Sequence, residues 1–328
     1  MRFFILTTKK LHAKRWLKKD RLLGLLLAFV GSASLFLPHN TTASISQGDN
    51  RSSSYGPAET IANLQDTSIK ESSGLAASRS TPGLYWTHND SGDGPYIYAF
   101  DERGRRRGVW RVRGATARDW EDIATGPGPD RNRSYLYIGD IGDNSGRRSE
   151  IVVYSIPEPK ITRAEASSSK AKPMLTDTAE SIRLRYEDGR YDAEALLVHP
   201  VTGTIYILTK TMFGNPVVYQ ASASQGSDGV STLSRLGEVK VPSWFGGMIT
   251  GGAISPDGRR VVLCDYKQAY EIVLPNREPF DSVWKQPLTT IELGNRKQGE
   301  AITYRLDGKA LLATSEGLPT PLIQVARR

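Results

Sequence analysis

Hydrophobic and polar residues alternate along most of the chain from about residue 58 onward. The alternation comes in short runs, such as "LYWTHND" (84–90) and "SYLYIGD" (134–140), with Gly, Pro, Asn or Asp between them. A period of two is typical of half-buried β-strands, and no long stretch has the 3.6-residue period of an amphipathic helix. The pattern therefore predicts an all-β fold.

One short motif recurs along the predicted strands. Its copies are "ESSGLA" (71–76), "DWEDIA" (119–124), "DAEALL" (192–197), "TGGAIS" (250–255) and "QGEAIT" (298–303). Their third residues are Ser73, Glu121, Glu194, Gly252 and Glu300, and both the first pair and the last pair are 48 residues apart. A turn and three further strand patterns follow each of the first four copies, and a turn and two strand patterns follow the last. A four-stranded meander repeated around an axis is the blade of a β-propeller.

The repeats predict a β-propeller with five four-stranded blades. The longer interval between Glu121 and Glu194 leaves room for an insertion, which we assign to residues 158–176 and expect to be mobile. A sixth, degenerate blade within residues 158–190 is the alternative. The last repeat lacks a fourth strand, and "ETIANLQDTSI" (59–69) precedes the first. Pairing that N-terminal strand with the last blade would close the ring and cover both edges.

The N-terminal region differs from the rest of the chain in charge. The net charge is +8, and most of it lies in the first 43 residues, where a basic stretch precedes the apolar run from Leu22 to Leu37. This arrangement predicts a signal peptide over residues 1–43, with an uncleaved membrane anchor as the alternative. Residues 44–57 read as a flexible linker, and residues 58–328 as one propeller domain. We expect an exported protein, periplasmic or extracellular.

The same charge distribution bounds the partners. Beyond the N-terminal segment the charge is nearly balanced, which argues against a nucleic-acid surface. We expect a monomer that binds a small ligand or a metal ion and touches a membrane only through an uncleaved N-terminal segment. A single cysteine, Cys264, excludes an intramolecular disulfide. Because Cys264 ends an apolar strand, we expect it to be a small buried hydrophobic residue.

The predicted fold collects acidic side chains at one end of the channel. The first strands of all blades line the channel and enter it from the same end, so the residues that head the motifs converge there. We predict metal-ligating roles for Glu71, Asp119, Glu121, Asp192, Glu194 and Glu300. Other loops lie at the same end of the channel as the starts of the motifs. In these loops we predict ligand or phosphate contacts for Lys210, Lys267, Asp90, Asp140, Asp143, Asp265 and Glu316. A hard cation with oxygen ligands, calcium most simply, suits such a ring. For any single acid, hydrogen bonds to backbone amides are the alternative.

Catalytic chemistry has one weak candidate. His88 follows Trp86 at a loop entrance on the acidic end, where it could serve as a base, a metal ligand or a structural brace. The chain contains no nucleotide-binding glycine motif, no zinc-protease motif and no serine nucleophile elbow. The arginine-rich segment 103–114 falls on the predicted outer strand of the first blade, where its charges would protect an open sheet edge.

Several motifs resemble known propeller families. "ESSGLAAS", "LYWTHNDSGD", "RDWEDIATGP", "LYIGDIGDN" and "QGEAITY" resemble a family of exported bacterial β-propellers of largely unknown function. They are more distantly similar to SdiA-regulated and esterase-like phytase propellers, which repeat a Glu-Gly signature at the head of inner strands. The resemblance covers about residues 59–328, and Ser73 and Gly252 depart from the signature.

The resemblance to phytase-type propellers has a specific implication. It implies calcium at an acidic channel mouth, held by Glu121, Glu194 and Glu300, with Lys210 and Lys267 contacting phosphate. Two functions therefore stay open: a propeller that binds a cation or small ligand without catalysis, and a calcium-dependent phosphoester or ester hydrolase that uses the same face.

Overall fold

The computed structural model describes residues 54–162, 165–225, 228–242 and 247–328. The predicted signal peptide and residues 44–53 of the predicted linker lie outside these ranges, so both stay predictions. Among the described residues, no helix combines the length and the apolar character that a membrane crossing requires.

Twenty-one strands and two short 3-10 helices, Glu165–Ser167 and Phe280–Lys285, make up the described secondary structure. The first unit contains β2 (Ser72–Ala77), β3 (Leu84–Asn89), β4 (Tyr96–Asp101) and β5 (Arg106–Arg113). The second contains β6 (Trp120–Pro127), β7 (Ser134–Asp140), β8 (Ile151–Pro157) and β10 (Glu180–Tyr186). The third contains β11 (Ala193–Val198), β12 (Ile205–Thr209), β13 (Val217–Gln225) and β14 (Val230–Glu238).

The remaining strands form two more units and one addition. The fourth unit contains β15 (Gly251–Ile254), β16 (Arg260–Cys264), β17 (Gln268–Val273) and β18 (Leu288–Glu292). The fifth contains β19 (Gly299–Tyr304), β20 (Ala310–Ser315), β21 (Pro321–Arg327) and β1 (Tyr55–Asn63). One additional strand, β9 (Met174–Thr178), lies beside β5 of the first unit. Strands pair antiparallel in order within each unit, which confirms the predicted all-β propeller. The pairings group into five units, and the blade number itself stays a prediction.

The first strands of the units, β2, β6, β11, β15 and β19, form the inner ring. Each of them lies against the inner strands of its two neighbours, and β19 lies against β2. Close approach requires small residues in this ring. A Cβ atom on Gly74 would lie only 2.6 Å from the backbone nitrogen of Ile123 and 2.6 Å from Nε2 of His88. Large apolar side chains fill the space between units: Trp86 and Trp110 of the first unit pack in one cluster with Trp120 and Leu136 of the second.

The ring closes through the N-terminal strand, as the sequence predicts. β1 pairs antiparallel with β21, the last strand of the chain. The closure is also fixed across units, because the hydroxyls of Tyr55 and Tyr304 both donate to the buried carboxylate of Glu271, at 2.5 and 2.9 Å. β1 begins at Tyr55, three residues before the predicted start of the domain, because Tyr55 is held by this buried hydrogen bond.

The predicted insertion is more ordered than its composition indicates. β9 pairs in parallel with β5, and Ser168 accepts a hydrogen bond of 2.8 Å from the backbone of Val109. The edge of β5 is therefore covered over this stretch, which corrects the prediction of an open edge guarded by arginines. β10 pairs with β8 and, in parallel, with β14, joining the second and third units in one sheet. The described part of residues 158–190 thus forms no separate four-stranded unit.

A candidate cation site at the channel mouth

A β-bulge interrupts four of the five inner strands at the third motif position. The pairing register shifts between Ser72 and Gly74, between Trp120 and Asp122, between Ala193 and Ala195, and between Gly299 and Ile302. Bulges re-aim a side chain out of the regular alternation of a strand. Three of the four bulges carry a glutamate, Glu121, Glu194 or Glu300, and all three side chains are buried.

Glu121 belongs to a compact carboxylate cluster, which we call the acidic triad. One carboxylate oxygen each of Asp90, Asp119 and Glu121 lies within 4.8 Å of the other two. Asp119 directly precedes β6 and Glu121 is its second residue, whereas Asp90 comes from the loop between β3 and β4 in the neighbouring unit. The structure therefore brings together acids that are far apart in sequence, as the propeller prediction requires.

The side chain of Glu121 is nearly buried and has no protein donor. The residue is 5% exposed, and no described residue donates a hydrogen bond to its carboxylate. Burial raises the pKa of Glu121 well above its ordinary value, and the negative charges of Glu194, Asp90 and Asp119 raise it further. A proton or a bound cation at this carboxylate would offset these repulsive charges.

The loop between β7 and β8 lies directly against the triad. A Cβ atom on Gly142 would lie 2.1 Å from Oε1 of Glu121 and 2.5 Å from Oδ2 of Asp119, so only glycine fits without displacing them. The backbone of Gly142 also donates to the carbonyl of Asp119 at 3.2 Å. From the third unit, Asp192 accepts a 2.7 Å hydrogen bond from the backbone of Asp143.

Two predicted ligand residues, Asp140 and Asp143, form hydrogen bonds that brace this loop, and their ligand contacts stay predictions. Asp140 accepts hydrogen bonds from the backbone of Asp119 at 3.2 Å and from Nη1 of Arg148 at 2.8 Å. Nη1 of Arg148 also donates to the carbonyl of Gly142 at 2.9 Å. The backbone N–H of Arg148 donates to the carboxylate of Asp143 at 2.7 Å. These contacts hold in place the β7–β8 loop, which lies against the triad.

The third unit supplies a positive charge at the mouth. Nζ of Lys210 bonds to the carboxylate of Glu194 and donates to the hydroxyl of Tyr266 at 2.8 Å. Burial alone would lower the pKa of Lys210, but the negative charge of Glu194 and the neighbouring Tyr266 and Glu300 raise it above its ordinary value. Glu194 is therefore compensated within the protein.

Glu300 lies near this lysine and has one donor of its own. It accepts a 2.8 Å hydrogen bond from the side chain of Gln298. Burial and the charge of Glu194 raise the pKa of Glu300, whereas Lys210 partly lowers it. Glu194 thus acts electrostatically on both Glu121 and Glu300, as the prediction of a common mouth requires.

Asp122 is the important residue that sequence reasoning missed. It is fully buried, and its carboxylate accepts backbone hydrogen bonds from Ile123 at 2.8 Å, Leu196 at 3.0 Å and Gly252 at 3.3 Å. Burial raises the pKa of Asp122, and hydrogen bonds from these amides and from Leu75 oppose that increase. One carboxylate therefore links inner strands of four units at the channel centre.

A sequence signal for Asp122 existed. In the other units the corresponding inner-strand residue is small: Gly74, Ala195, Gly251 and Ala301. A charged residue in an otherwise Gly/Ala position indicates that its side chain occupies space shared by all units.

The pairings also correct the predicted alignment of the fourth motif. Gly251 pairs with Cys264 in the way that Ala195 pairs with Leu208, so Thr250, and not Gly252, occupies the third position. The side chain of Thr250 donates to the carbonyl of Gly299 at 3.2 Å, much as Ser73 donates to the carbonyl of Glu121 at 2.8 Å. In these two units a short hydroxyl side chain bonds the neighbouring inner strand where the others carry glutamate.

The catalytic candidate, His88, lies away from solvent. It is fully buried, with Nδ1 2.9 Å from the carbonyl of Asn89 and its ring edge-on to Trp120 at 5.7 Å. Burial lowers the pKa of His88 below its ordinary value. These contacts give it a packing role between the first two units.

The other predicted residues surround the mouth without joining the triad. The side chain of Asp265 accepts hydrogen bonds from the backbones of Lys267 and Gln268 and from the hydroxyl of Tyr270, which is a loop-bracing role. Glu71 and Lys267 are exposed, and Glu316 is half-buried. Metal or ligand contacts by these residues stay predictions.

Comparison with known proteins adds little beyond the fold. No family model matches the chain, and no curated protein sequence matches it. Among solved structures, one described as "Structure of Dos1 propeller" is similar with a TM-score of 0.34 and 11% sequence identity, covering 78% of this chain and 68% of that one. The β-propeller assignment therefore rests on the strand pairings, and the finer family resemblance stays a prediction.

Proposed function

We propose that this protein is an exported β-propeller that binds a divalent cation, most simply calcium, at the acidic triad. The observation that carries the proposal is the buried carboxylate of Glu121, which has no donor among the described residues. Buried carboxylates in folded proteins are paired, hydrogen-bonded or metal-bound. A cation in contact with Asp90, Asp119 and Glu121 would supply the missing positive charge.

The donor atoms fit a hard cation. All three side chains offer carboxylate oxygens, which calcium prefers, whereas zinc sites use histidine and cysteine. His88 and Cys264 are both fully buried, His88 against Trp120 and Cys264 at the inner end of β16. Calcium takes six to eight oxygens, so water or a ligand group would complete the coordination. An open coordination position of this kind would allow a small anionic ligand to bind through the metal.

Export and the finer family resemblance belong to the same proposal. A basic segment followed by an apolar run supports export, and the glutamates that head the inner strands support the resemblance to phytase-type propellers. Calcium sites of extracellular modules have dissociation constants of about 10⁻⁴ to 10⁻³ M, and we expect a value in this range. We do not extend the proposal to hydrolysis, because His88, the one predicted base, lies in the core.

Thermal unfolding of the full chain in EDTA and in increasing calcium tests the proposal. Ligand binding to the folded state alone raises its stability by RT ln(1 + [L]/Kd), about 2.7 kcal/mol at one hundred times Kd. We expect a calcium-dependent rise in Tm that is lost in Glu121→Gln and kept in Glu278→Gln, an exposed glutamate far from the mouth. A Tm that is the same in EDTA and in 10 mM calcium, an order of magnitude above the expected Kd range, would remove the cation site.

A further inference from the structure

A cavity lies beside the β7–β8 loop, and none of the triad residues lines it. Its volume is about 390 Å³, and it opens between the segment that leads into β6 and the start of β8. We call it the arginine cavity; its lining is Thr116, Arg118, Asp140, Arg147, Arg148, Ser149, Glu150, Val152 and Tyr154.

Both carboxylates of the arginine cavity are already neutralised. Asp140 pairs with Arg148 at 2.8 Å, and Glu150 pairs with Arg183 at 2.7 Å and with Arg185 at 3.0 Å. No described carboxylate pairs with the side chain of Arg118 or of Arg147. The cavity therefore carries an excess of positive charge at two guanidinium groups. The local charge of the arginine cavity is therefore opposite in sign to that of the acidic triad.

The buried wall of the cavity has an unused donor. Arg148 is 7% exposed, and its Nη1 donates to Asp140 and to the carbonyl of Gly142. Its Nε, in contrast, has no acceptor among the described residues. A buried guanidinium N–H without an acceptor costs free energy. An acceptor group that entered the cavity could remove this cost.

Hydroxyl groups complete the donor set. The hydroxyl of Tyr154 accepts a 3.3 Å hydrogen bond from the backbone of Thr116 and lies 3.0 Å from its Oγ1. Ser149 adds a third hydroxyl to the lining. Guanidinium groups bind planar or tetrahedral oxyanions through paired N–H bonds, and hydroxyls donate to the remaining oxygens.

We propose that the arginine cavity binds a tetrahedral oxyanion, a phosphate or sulfate group, through Arg118, Arg147 and the hydroxyls beside them. The doubly charged group would balance the two unpaired guanidiniums. Binding there does not need a cation at the triad, so the proposal stands independently of the proposed function.

Isothermal titration of the full chain in EDTA with inorganic phosphate, sulfate and chloride tests this site. We expect saturable binding of phosphate or sulfate above that of chloride at equal ionic strength. The double variant Arg118→Gln/Arg147→Gln should weaken it at least tenfold, because the excess positive charge is gone. Both side chains are exposed, so the fold should be retained, which thermal unfolding checks.

Two controls separate this site from general charge effects and from the triad. The double variant Arg103→Gln/Arg131→Gln removes the same charge from exposed turns elsewhere, and Glu121→Gln alters only the triad. Both should bind the anion like the wild type. Stronger binding of phosphate than of sulfate, or the reverse, identifies the group. Equal weakening in the two arginine variants, or anion binding no better than chloride, would overturn the proposal.

Discussion

The channel centre and the channel mouth each hold a buried carboxylate, contributed by adjacent residues of the same strand. At the centre, Asp122 accepts hydrogen bonds from backbone amides of neighbouring inner strands. At the mouth, the β-bulge turns Glu121 toward Asp90 and Asp119, where no described residue donates to it. Equal burial therefore has different consequences: backbone amides of neighbouring strands satisfy Asp122, whereas no described residue donates a hydrogen bond to Glu121.

The largest expected effect is at the centre. Asp122→Ala would leave three or more buried amides without an acceptor, and each such loss costs about 1–3 kcal/mol. We expect the free energy of unfolding to fall by at least about 3 kcal/mol, measured by urea denaturation. A loss below about 1 kcal/mol would show that water replaces the carboxylate and that Asp122 does not hold the inner strands together.

At the mouth, the corresponding change should have the opposite sign. Without a cation, Glu121→Gln removes a buried charge that lies among other acids, so we expect a gain of about 1 kcal/mol in EDTA. The same urea titration measures it, with Glu278→Gln as the matched control. Destabilisation of Glu121→Gln in EDTA would mean that Glu121 has a structural partner and would weaken the contrast with Asp122.

A smaller and more selective change would leave every charge in place. In Gly142→Ala the added methyl group would meet the ends of the Glu121 and Asp119 side chains, which can move. We expect calcium affinity to fall about tenfold, or about 1.4 kcal/mol, with little change of stability in EDTA. Gly56→Ala is the control, because its Cβ would have ordinary contact at 3.6 Å. Unchanged calcium affinity in Gly142→Ala would place the cation elsewhere.

The smallest effect concerns access to the centre. Burial raises the pKa of Cys264 to about 12, so its thiol should react slowly with iodoacetamide at pH 8 in the folded protein and rapidly in denaturant. Asp122→Ala should speed up the reaction by loosening the inner strands, whereas Glu121→Gln should not. Mass spectrometry of the labelled protein measures both rates. Equal acceleration in both variants would show that the centre and the mouth loosen together.

The fold was predictable because its signal is local and repeated. Period-two alternation identified the strands, and the recurring acidic motif indicated inner strands that converge. The same repetition predicted the pairing of β1 with β21. The parallel pairing of β9 with β5 was not predictable, since the Ser/Ala/Lys-rich composition around β9 resembles a loop and its partner lies far away in sequence.

The sequence predicted that the acidic residues converge, but not which of them have partners within the protein. Motif spacing indicated that Glu121, Glu194 and Glu300 share one mouth, and the alternation of strand faces gave Asp119 and Glu121 the same side. Which acid is compensated depends on side chains from other units, such as Lys210 for Glu194, and no local pattern reveals that. The bulge that separates the roles of Glu121 and Asp122 was unpredictable for the same reason: it is defined by the pairing of β6 with β7, and not by the sequence of β6 alone.

Closure of the ring by β1 and β21 sets an order of events for folding. β1 must wait for β21, which lies more than 250 residues later in the chain, because each is the other's partner. Until β21 is available, β1 has an exposed edge. Tyr55, which donates to Glu271, then lacks its pairing with Arg327. Because the first and the last described strands share one sheet, loss of either strand would open the ring of units.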